Sequence, residues 1–239
     1  MTLHFLLEKY LLKQFYNIIL GYFFSINFSI KAQFITTWMT DNPGISKDHQ
    51  IIISGKGNYT ITWEEMGNEI NRGTTQGQNI TKIIFPNAGT YKIAISGDLQ
   101  QIWFNGRGDR AKLLTIERWG KIAWKSMKNA FRGCQNLVCK ATDIPNLSQV
   151  TSMAYMFAKC TSFNGKISNW NTSNVMDMRG MFFEANSFNQ PIRSWNTSKA
   201  TNMGDIFFGA NLFNQPINNW NTGQVINMSG MFQGAVSFN

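Results

Sequence analysis

Three tryptophans at a constant spacing are the residues of this chain best suited to holding a ligand. Trp170, Trp195 and Trp220 lie 25 residues apart, so a structure with this period places their rings in one line. A row of aromatic faces can hold a glycan or a peptide. A large apolar side chain that recurs in every repeat is also typical of a core position, which leaves packing as the alternative interpretation.

Positions that differ between otherwise similar repeats are the second candidate for a binding surface. A spacer needs only uniform repeats, whereas a binding surface needs side chains that vary on one exposed face. Two such slots are Lys166/Pro191/Pro216 and Ser168/Arg193/Asn218. We therefore predict that Lys166, Arg193 and Asn218 contribute to binding together with the three tryptophans.

Two cysteines share one repeat position. Cys134 and Cys160 occupy a slot that later units fill with alanine, at Ala185, Ala210 and Ala235. Neighbouring strands lie about 4.8 Å apart, which is within the Cα separation that a disulfide accepts. A disulfide between Cys134 and Cys160 and the packing of two small buried thiols are both consistent with this pattern.

The chain offers little for catalysis or metal binding. His49 is the one histidine beyond residues 1–32, and Glu64 and Glu65 are adjacent on a predicted strand, where their carboxylates point to opposite faces. No local motif supplies a base, a nucleophile or a set of metal ligands. The sequence predicts a protein that is not an enzyme and that holds no cofactor or metal.

Repeated phrases position the candidate residues. Phe163, Phe188 and Phe213 each begin a nearly identical stretch that ends in Trp-Asn-Thr. A fourth stretch starts at Phe238 and the sequence stops one residue later, so we expect a truncated chain. Pairing each Trp with the Phe twelve residues later extends the pattern to five units: 112–137, 138–162, 163–187, 188–212 and 213–237. A fixed period of this length predicts a solenoid.

Each unit has two halves with different periodicities. The first half, 188–192, alternates Phe and Ile inward and predicts a short strand. The second half places Val175, Met178, Met181 and Phe182 at spacings of three and four, which predicts a short helix. We therefore expect an α/β solenoid over residues 99–239 that resembles a leucine-rich repeat, with one strand and one helix in each unit.

The segment before the repeats has a β pattern. Five short β-branched or aromatic runs are separated by Gly, Asn, Pro and Asp, at 34–38, 50–54, 59–63, 82–85 and 91–95. They predict a small all-β sandwich over residues 33–98. The stretch from Asn87 to Gly97 resembles the closing strand of a PKD-like, immunoglobulin-type domain.

The N-terminus has the layout of an export signal. Lys9 and Lys13 precede an apolar stretch over 15–28, and the small residue Ala32 follows. We expect residues 1–32 to be a signal peptide, and a transmembrane anchor or a cytoplasmic chain are the alternatives.

The chain is basic, with a formal net charge of +9. Much of the excess lies between Arg107 and Lys140, ahead of nearly neutral later repeats. A solvated face explains such a run better than a groove for an acidic polymer, so no nucleic-acid partner is expected.

The residues from Phe188 to Ala210 resemble the repeat of BspA-like leucine-rich-repeat surface proteins of bacteria. Several aromatic and Met positions of that repeat recur in register over about 130 residues. The resemblance implies a monomeric protein that is secreted or held at the bacterial surface and that binds a host protein, a glycan or a neighbouring cell. An architectural spacer of the envelope is the alternative, followed by an enzyme whose catalytic part lies outside this chain.

Overall fold

The computed structural model describes residues 34–239, which contain seven strands and no helix. The strands are β1 (Phe34–Met39), β2 (Gln50–Glu65), β3 (Asn68–Ile84), β4 (Thr90–Gly97), β5 (Gln101–Ile102), β6 (Leu113–Arg118) and β7 (Val138–Cys139). The expected signal peptide lies outside the described residues. Within residues 34–239 nothing qualifies as a membrane-crossing helix.

The strands form one mixed sheet, so the predicted sandwich is wrong. The order is β3-β2-β4-β1-β6-β7, and β5 pairs with β2. Strand β1 pairs antiparallel with β4 on one side and with β6 on the other, and β6 then pairs in parallel with β7. The sheet therefore crosses the expected boundary between residues 98 and 99. Alternation along a strand shows which face is buried, but it does not show whether a second sheet covers that face.

The sheet and the repeats share one core. Phe34 on β1 stacks on Trp119 with ring centroids 5.7 Å apart, and its ring meets Trp124 edge-on at 5.3 Å. Ile102 on β5 pairs with Gly55 of β2, and the Phe104 N–H donates to the Asn129 carbonyl. The aromatic side chains of the sheet thus cover the first repeat.

The repeats form a stack of coils. We call each coil a rung: rung 1 is 127–152, rung 2 is 153–177, rung 3 is 178–202, rung 4 is 203–227 and rung 5 is 228–239. Isolated parallel bridges link Ser152, Asp177, Asn202 and Asn227 on successive rungs. The backbone N–H groups of Met178, Gly180 and Phe182 donate to carbonyls of rung 4. The 25-residue period therefore sets which backbone groups meet.

The predicted helix in each unit is wrong because alternate N–H groups bond to the next rung. The intervening groups make three-residue turns, as in Met181 N–H to the Met178 carbonyl at 3.1 Å. Two positions of each rung have a positive φ: Asn129 and Gly133, Tyr155 and Lys159, Gly180 and Glu184, Asp205 and Gly209, Gly230 and Gly234. Such left-handed residues cannot continue a right-handed helix. The successive turns still bury Met178, Met181 and Phe182.

The predicted strand at 188–192 is also absent, because side chains replace the backbone ladder there. The Asn189 N–H donates to Asn164 Oδ1 at 3.0 Å, and the Asn214 N–H donates to Asn189 Oδ1 at 2.9 Å. The Asn239 N–H repeats this bond to Asn214. A column of asparagine side chains thus joins the rungs where a parallel strand was expected.

Columns of phenylalanine fill the interior of the stack. Phe182 stacks on Phe207 of the next rung at 5.8 Å and on Phe188 of its own rung at 3.8 Å. The same pairs recur along the stack, and these three rings are fully buried. Identical rings at identical positions therefore account for the regular spacing of the rungs.

Candidate functional site

The tryptophan column lies in the core. Trp170, Trp195 and Trp220 are 5%, 2% and 8% exposed. Trp195 stacks on Trp220 at 6.3 Å, and Trp170 meets Trp119 edge-on at 5.3 Å. Because their faces contact other rings, these tryptophans pack the rungs together, and burial favours the packing interpretation over a ligand platform.

The variable slots lie on the surface, next to one another. Lys166, Arg193 and Asn218 are exposed on rungs 2, 3 and 4. Ser194 Oγ donates to the Ser168 carbonyl at 2.7 Å, and Arg193 Nη2 donates to Asn219 Oδ1 at 3.1 Å. These bonds connect the same stretch of successive rungs. We call this surface the variable face, defined by Lys166, Ser168, Pro191, Arg193, Pro216 and Asn218.

A cleft of about 450 Å³ opens at one end of the variable face, between rungs 1 and 2. It brings together two of the predicted site residues, Lys166 and Trp170, while Trp195, Trp220, Arg193 and Asn218 lie outside it. The remaining polar lining comes mostly from amide side chains and hydroxyls. Sequence reasoning missed Asn164, Asn169 and Gln190, because each resembles the structural asparagines and glutamines elsewhere in the repeats.

One extra residue in rung 1 accompanies this cleft. Leu137 and Pro145 are eight residues apart, whereas the corresponding Phe163 and Trp170 are seven apart, as in the later rungs. The longer connection carries Ile144, which lies at the edge of the cleft and is 49% exposed. Unequal rung lengths in the sequence were the signal that could have predicted an irregularity here.

The irregularity changes the surroundings of Trp170. Trp195 Nε1 donates to the Ile167 carbonyl and Trp220 Nε1 to the Ile192 carbonyl, both at 3.0 Å. Ala141 occupies the corresponding position of rung 1, but Trp170 Nε1 makes no such bond within the described part of the chain. Trp170 therefore lines the cleft with a hydrogen-bond donor that its counterparts use inside the stack.

The charges around the cleft are unequally paired. Asp143 accepts hydrogen bonds from the backbone N–H groups of Trp119 and Gly120, at 3.0 and 2.7 Å. Lys140 Nζ lies 3.6 Å from Glu117 Oε1. Lys166 forms no ion pair with any residue in 34–239. The cleft thus combines an occupied carboxylate with an available ammonium group.

A second exposed surface combines aromatic rings and guanidinium groups. The Tyr155 ring lies between Arg132 and Arg179, whose Cζ atoms are 4.7 and 5.6 Å from its centroid. Half-buried Phe183 and Phe208 stack at 4.7 Å on the following rungs. These residues were missed, although their slots also differ between repeats. We call Tyr155, Phe183 and Phe208 the aromatic strip.

The cysteine pair is buried and reduced. Cys134 and Cys160 are both free thiols with no exposed surface, so the predicted disulfide is absent from this structure. Cys160 Sγ donates to the Phe131 carbonyl at 2.9 Å. Burial raises the pKa of both thiols well above the usual value, which keeps them neutral and unreactive.

A buried charged pair ties the 40–49 loop to the chain that enters rung 1. Asp109 accepts hydrogen bonds from the N–H groups of Ile45, Ser46 and Ile52. Lys112 Nζ donates to carbonyls of Ser46, Lys47 and Gln50, and burial lowers the pKa of its ammonium group. Every partner is a structural group of the loop, so the pair stabilises the loop.

Metal binding and homology add little to these surfaces. No group of His, Cys, Asp and Glu side chains suitable for a metal ion occurs between residues 34 and 239. No curated protein and no solved structure matches the chain. Residues 125–239, which comprise the rungs, are similar to a family described as Mycoplasma protein of unknown function, DUF285.

Proposed function

We propose that this is an exported surface protein of a bacterium that binds another macromolecule through the variable face of its rungs. One observation carries the proposal. The residues repeated without change, such as Trp195 and Phe182, are buried, whereas Lys166, Arg193 and Asn218 differ in chemistry and are exposed on adjacent rungs. A stack of this kind holds differing side chains at fixed positions.

Regular stacking suits recognition of an extended partner. The rungs are joined by backbone bonds, by asparagine side chains and by stacked rings, so neighbouring slots keep a constant separation. Several weak contacts made to one partner add their free energies when the contacts are held in register. A polymer or an elongated protein surface therefore fits the variable face better than a small isolated molecule.

Export belongs to the same proposal. The layout of residues 1–32 supports a cleaved signal, and the resemblance of the repeats to BspA-like proteins supports a place at the cell surface. Mass measurement of the mature protein tests this directly. Recovery of a chain that retains Met1 in the cytoplasmic fraction would contradict export.

Binding is tested by presenting the full-length chain to arrays of glycans and of extracellular host proteins. The double variant Arg193→Gln/Asn218→Ala removes two exposed side chains of the variable face and should weaken binding about tenfold or more. Lys82→Gln on β3, an exposed change away from the rungs, is the matched control and should leave binding unchanged. Absence of any binding at high micromolar concentration would contradict the proposal.

The architectural alternative has one observation in its favour. The asparagine column at Asn164, Asn189 and Asn214 is uniform and joins the rungs without offering differing side chains. A spacer needs no more than this. The same arrays decide between the two, since a spacer binds nothing specifically.

A further inference from the structure

The cleft between rungs 1 and 2 is the one place on the variable face where polar groups converge around a concave space. Asn169, Thr142 and Lys166 make no side-chain hydrogen bond to other residues in 34–239. Asn164 and Gln190 use one group each, because Gln190 Nε2 donates to Asn164 Oδ1 at 3.0 Å. Amide and hydroxyl groups therefore remain available to a ligand.

These groups offer both donors and acceptors, which suits a ligand rich in hydroxyls. A primary amide presents two N–H donors and one carbonyl acceptor, while an ammonium group only donates. Ile144 and the edge of Trp170 add apolar surface beside the amides. A sugar ring needs this combination, since its C–H face is apolar and its rim consists of hydroxyls.

Charge narrows the ligand further. Lys166 is exposed and unpaired among the described residues, whereas Asp143 already accepts two backbone hydrogen bonds and lies 3.8 Å from Arg118 Nε. A ligand in the cleft therefore meets an available positive charge and a carboxylate that is already occupied. An anionic group is favoured over a cationic one.

We propose that this cleft binds one carboxylate-bearing sugar unit of an acidic polysaccharide, an inference that rests on the proposed function. The Lys166 ammonium group pairs with the sugar carboxylate. The amides of Asn169 and Gln190 bind ring hydroxyls, and the free indole N–H of Trp170 adds a donor on the cleft wall. The rest of the polymer runs along the variable face past Arg193, whose guanidinium meets a further carboxylate.

The cleft volume agrees with one or two sugar units. About 450 Å³ lies within the range of small-molecule sites, which is roughly 300 to 1,000 Å³. A protein partner would favour the aromatic strip instead, because buried interface centres are enriched in aromatic side chains and arginine. The two surfaces therefore make different predictions for the same partner.

The test measures affinity of the full-length chain for an unsulfated hexasaccharide of alternating glucuronate and N-acetylgalactosamine. The same hexasaccharide after reduction of its carboxylates to alcohols is the matched probe. We expect binding of the acidic probe and at least about tenfold weaker binding of the reduced one. Equal affinity for both probes would overturn the role of the carboxylate.

Two variants locate the site. Lys166→Gln should weaken the acidic probe about tenfold and leave the reduced probe unaffected, whereas Lys128→Gln, an exposed change on rung 1 away from the cleft, should alter neither. Deletion of Ile144 restores the 25-residue length of rung 1, gives Trp170 the bond that Trp195 makes, and should abolish binding while the thermal midpoint stays equal or rises. Unchanged affinity in both cleft variants would overturn the inference.

The outcomes separate this inference from the proposed function. Binding of array ligands other than acidic glycans, with no affinity for the hexasaccharide, would remove the inference and leave the recognition function intact. Absence of binding to every array ligand and to the hexasaccharide would remove both. Loss of hexasaccharide binding in a Phe183→Ala/Phe208→Ala variant, with Lys166→Gln unaffected, would move the site to the aromatic strip.

Discussion

The indole nitrogen of Trp195 donates a hydrogen bond to the carbonyl oxygen of Ile167 on the preceding rung, at 3.0 Å. Trp220 repeats the relationship with Ile192. Burial of an N–H group without a partner is costly, so a tryptophan can recur in the core because each rung supplies an acceptor for the next. The bond explains why this slot is not filled by phenylalanine, as its neighbours are.

Replacement of Trp195 by Phe should destabilise the fold by more than the same change at Trp170. Both changes remove a similar volume from the core, but only Trp195→Phe also leaves the Ile167 carbonyl without its donor. We expect the difference between the two free energies of unfolding to be about 1 to 2 kcal/mol. Urea unfolding monitored by circular dichroism measures it, and equal losses would show that the bond contributes nothing.

Charge at an interior methionine should unfold the stack. Met203 is fully buried on rung 4, whereas Met228 occupies the same slot of rung 5 and is 43% exposed. Met203→Asp should cost more than about 3 kcal/mol, because an unpaired carboxylate loses its hydration. Met228→Asp is the matched control and should cost under about 1 kcal/mol. A thermal midpoint that is unchanged in Met203→Asp would contradict the interior position of this slot.

Gly180 should not tolerate a side chain. Its φ is +57°, and an added Cβ would overlap the ring of Tyr155 on the preceding rung. Gly108 has a φ of +67° with no atom within 4 Å of the added Cβ, so Gly108→Ala isolates the backbone cost of about 1 to 2 kcal/mol. Gly180→Ala should add about 1 to 3 kcal/mol of overlap. Calorimetric midpoints that fall equally in both variants would show that Tyr155 moves aside freely.

Alkaline pH should destabilise the protein through its buried thiols. Burial raises the pKa of Cys134 and Cys160 above the usual 9.0, so the thiols ionise in the unfolded chain before they ionise in the folded one. Their contribution is therefore complete below pH 9 and is lost as pH rises above it, by up to about 1.4 kcal/mol per pH unit for each thiol.

The matched variant for this pH dependence is Cys134→Ala/Cys160→Ala, because alanine fills the same slot at Ala185 and Ala210. Unfolding in urea under reducing conditions, compared at pH 7 and pH 10, should give a smaller loss of stability in the double variant. An identical loss in both proteins would assign the alkaline sensitivity to other groups, such as the buried Tyr59.

Sequence reasoning identified the period and much of the core, but it assigned the wrong secondary structure. Met178, Met181 and Phe182 were expected to share one buried side, and they do. Spacings of three and four describe a helix and equally describe consecutive turns, each closed by a bond three residues back. The choice between them depends on acceptors 24 residues away along the chain.

The cleft shows the same division between what a pattern contains and what a fold adds. Lys166 and Trp170 were chosen from their repeat slots, and the structure places both in one cleft. The amides beside them carried no distinguishing signal, because structural asparagines surround every turn. Only the extra residue between Leu137 and Pro145 marked this rung as different.

The amino-acid sequence by itself determined the 25-residue stack and the burial of its recurrent rings, because identical side chains at a fixed period can bury only against copies of themselves. Tertiary structure alone decided that the strands from β1 to β7 form one sheet and that each rung is built from turns. The physical reason is that backbone N–H and C=O groups are the same in every residue. Their partners are settled by which segments come together, as when Gly180 meets Gly204 rather than its own preceding turn.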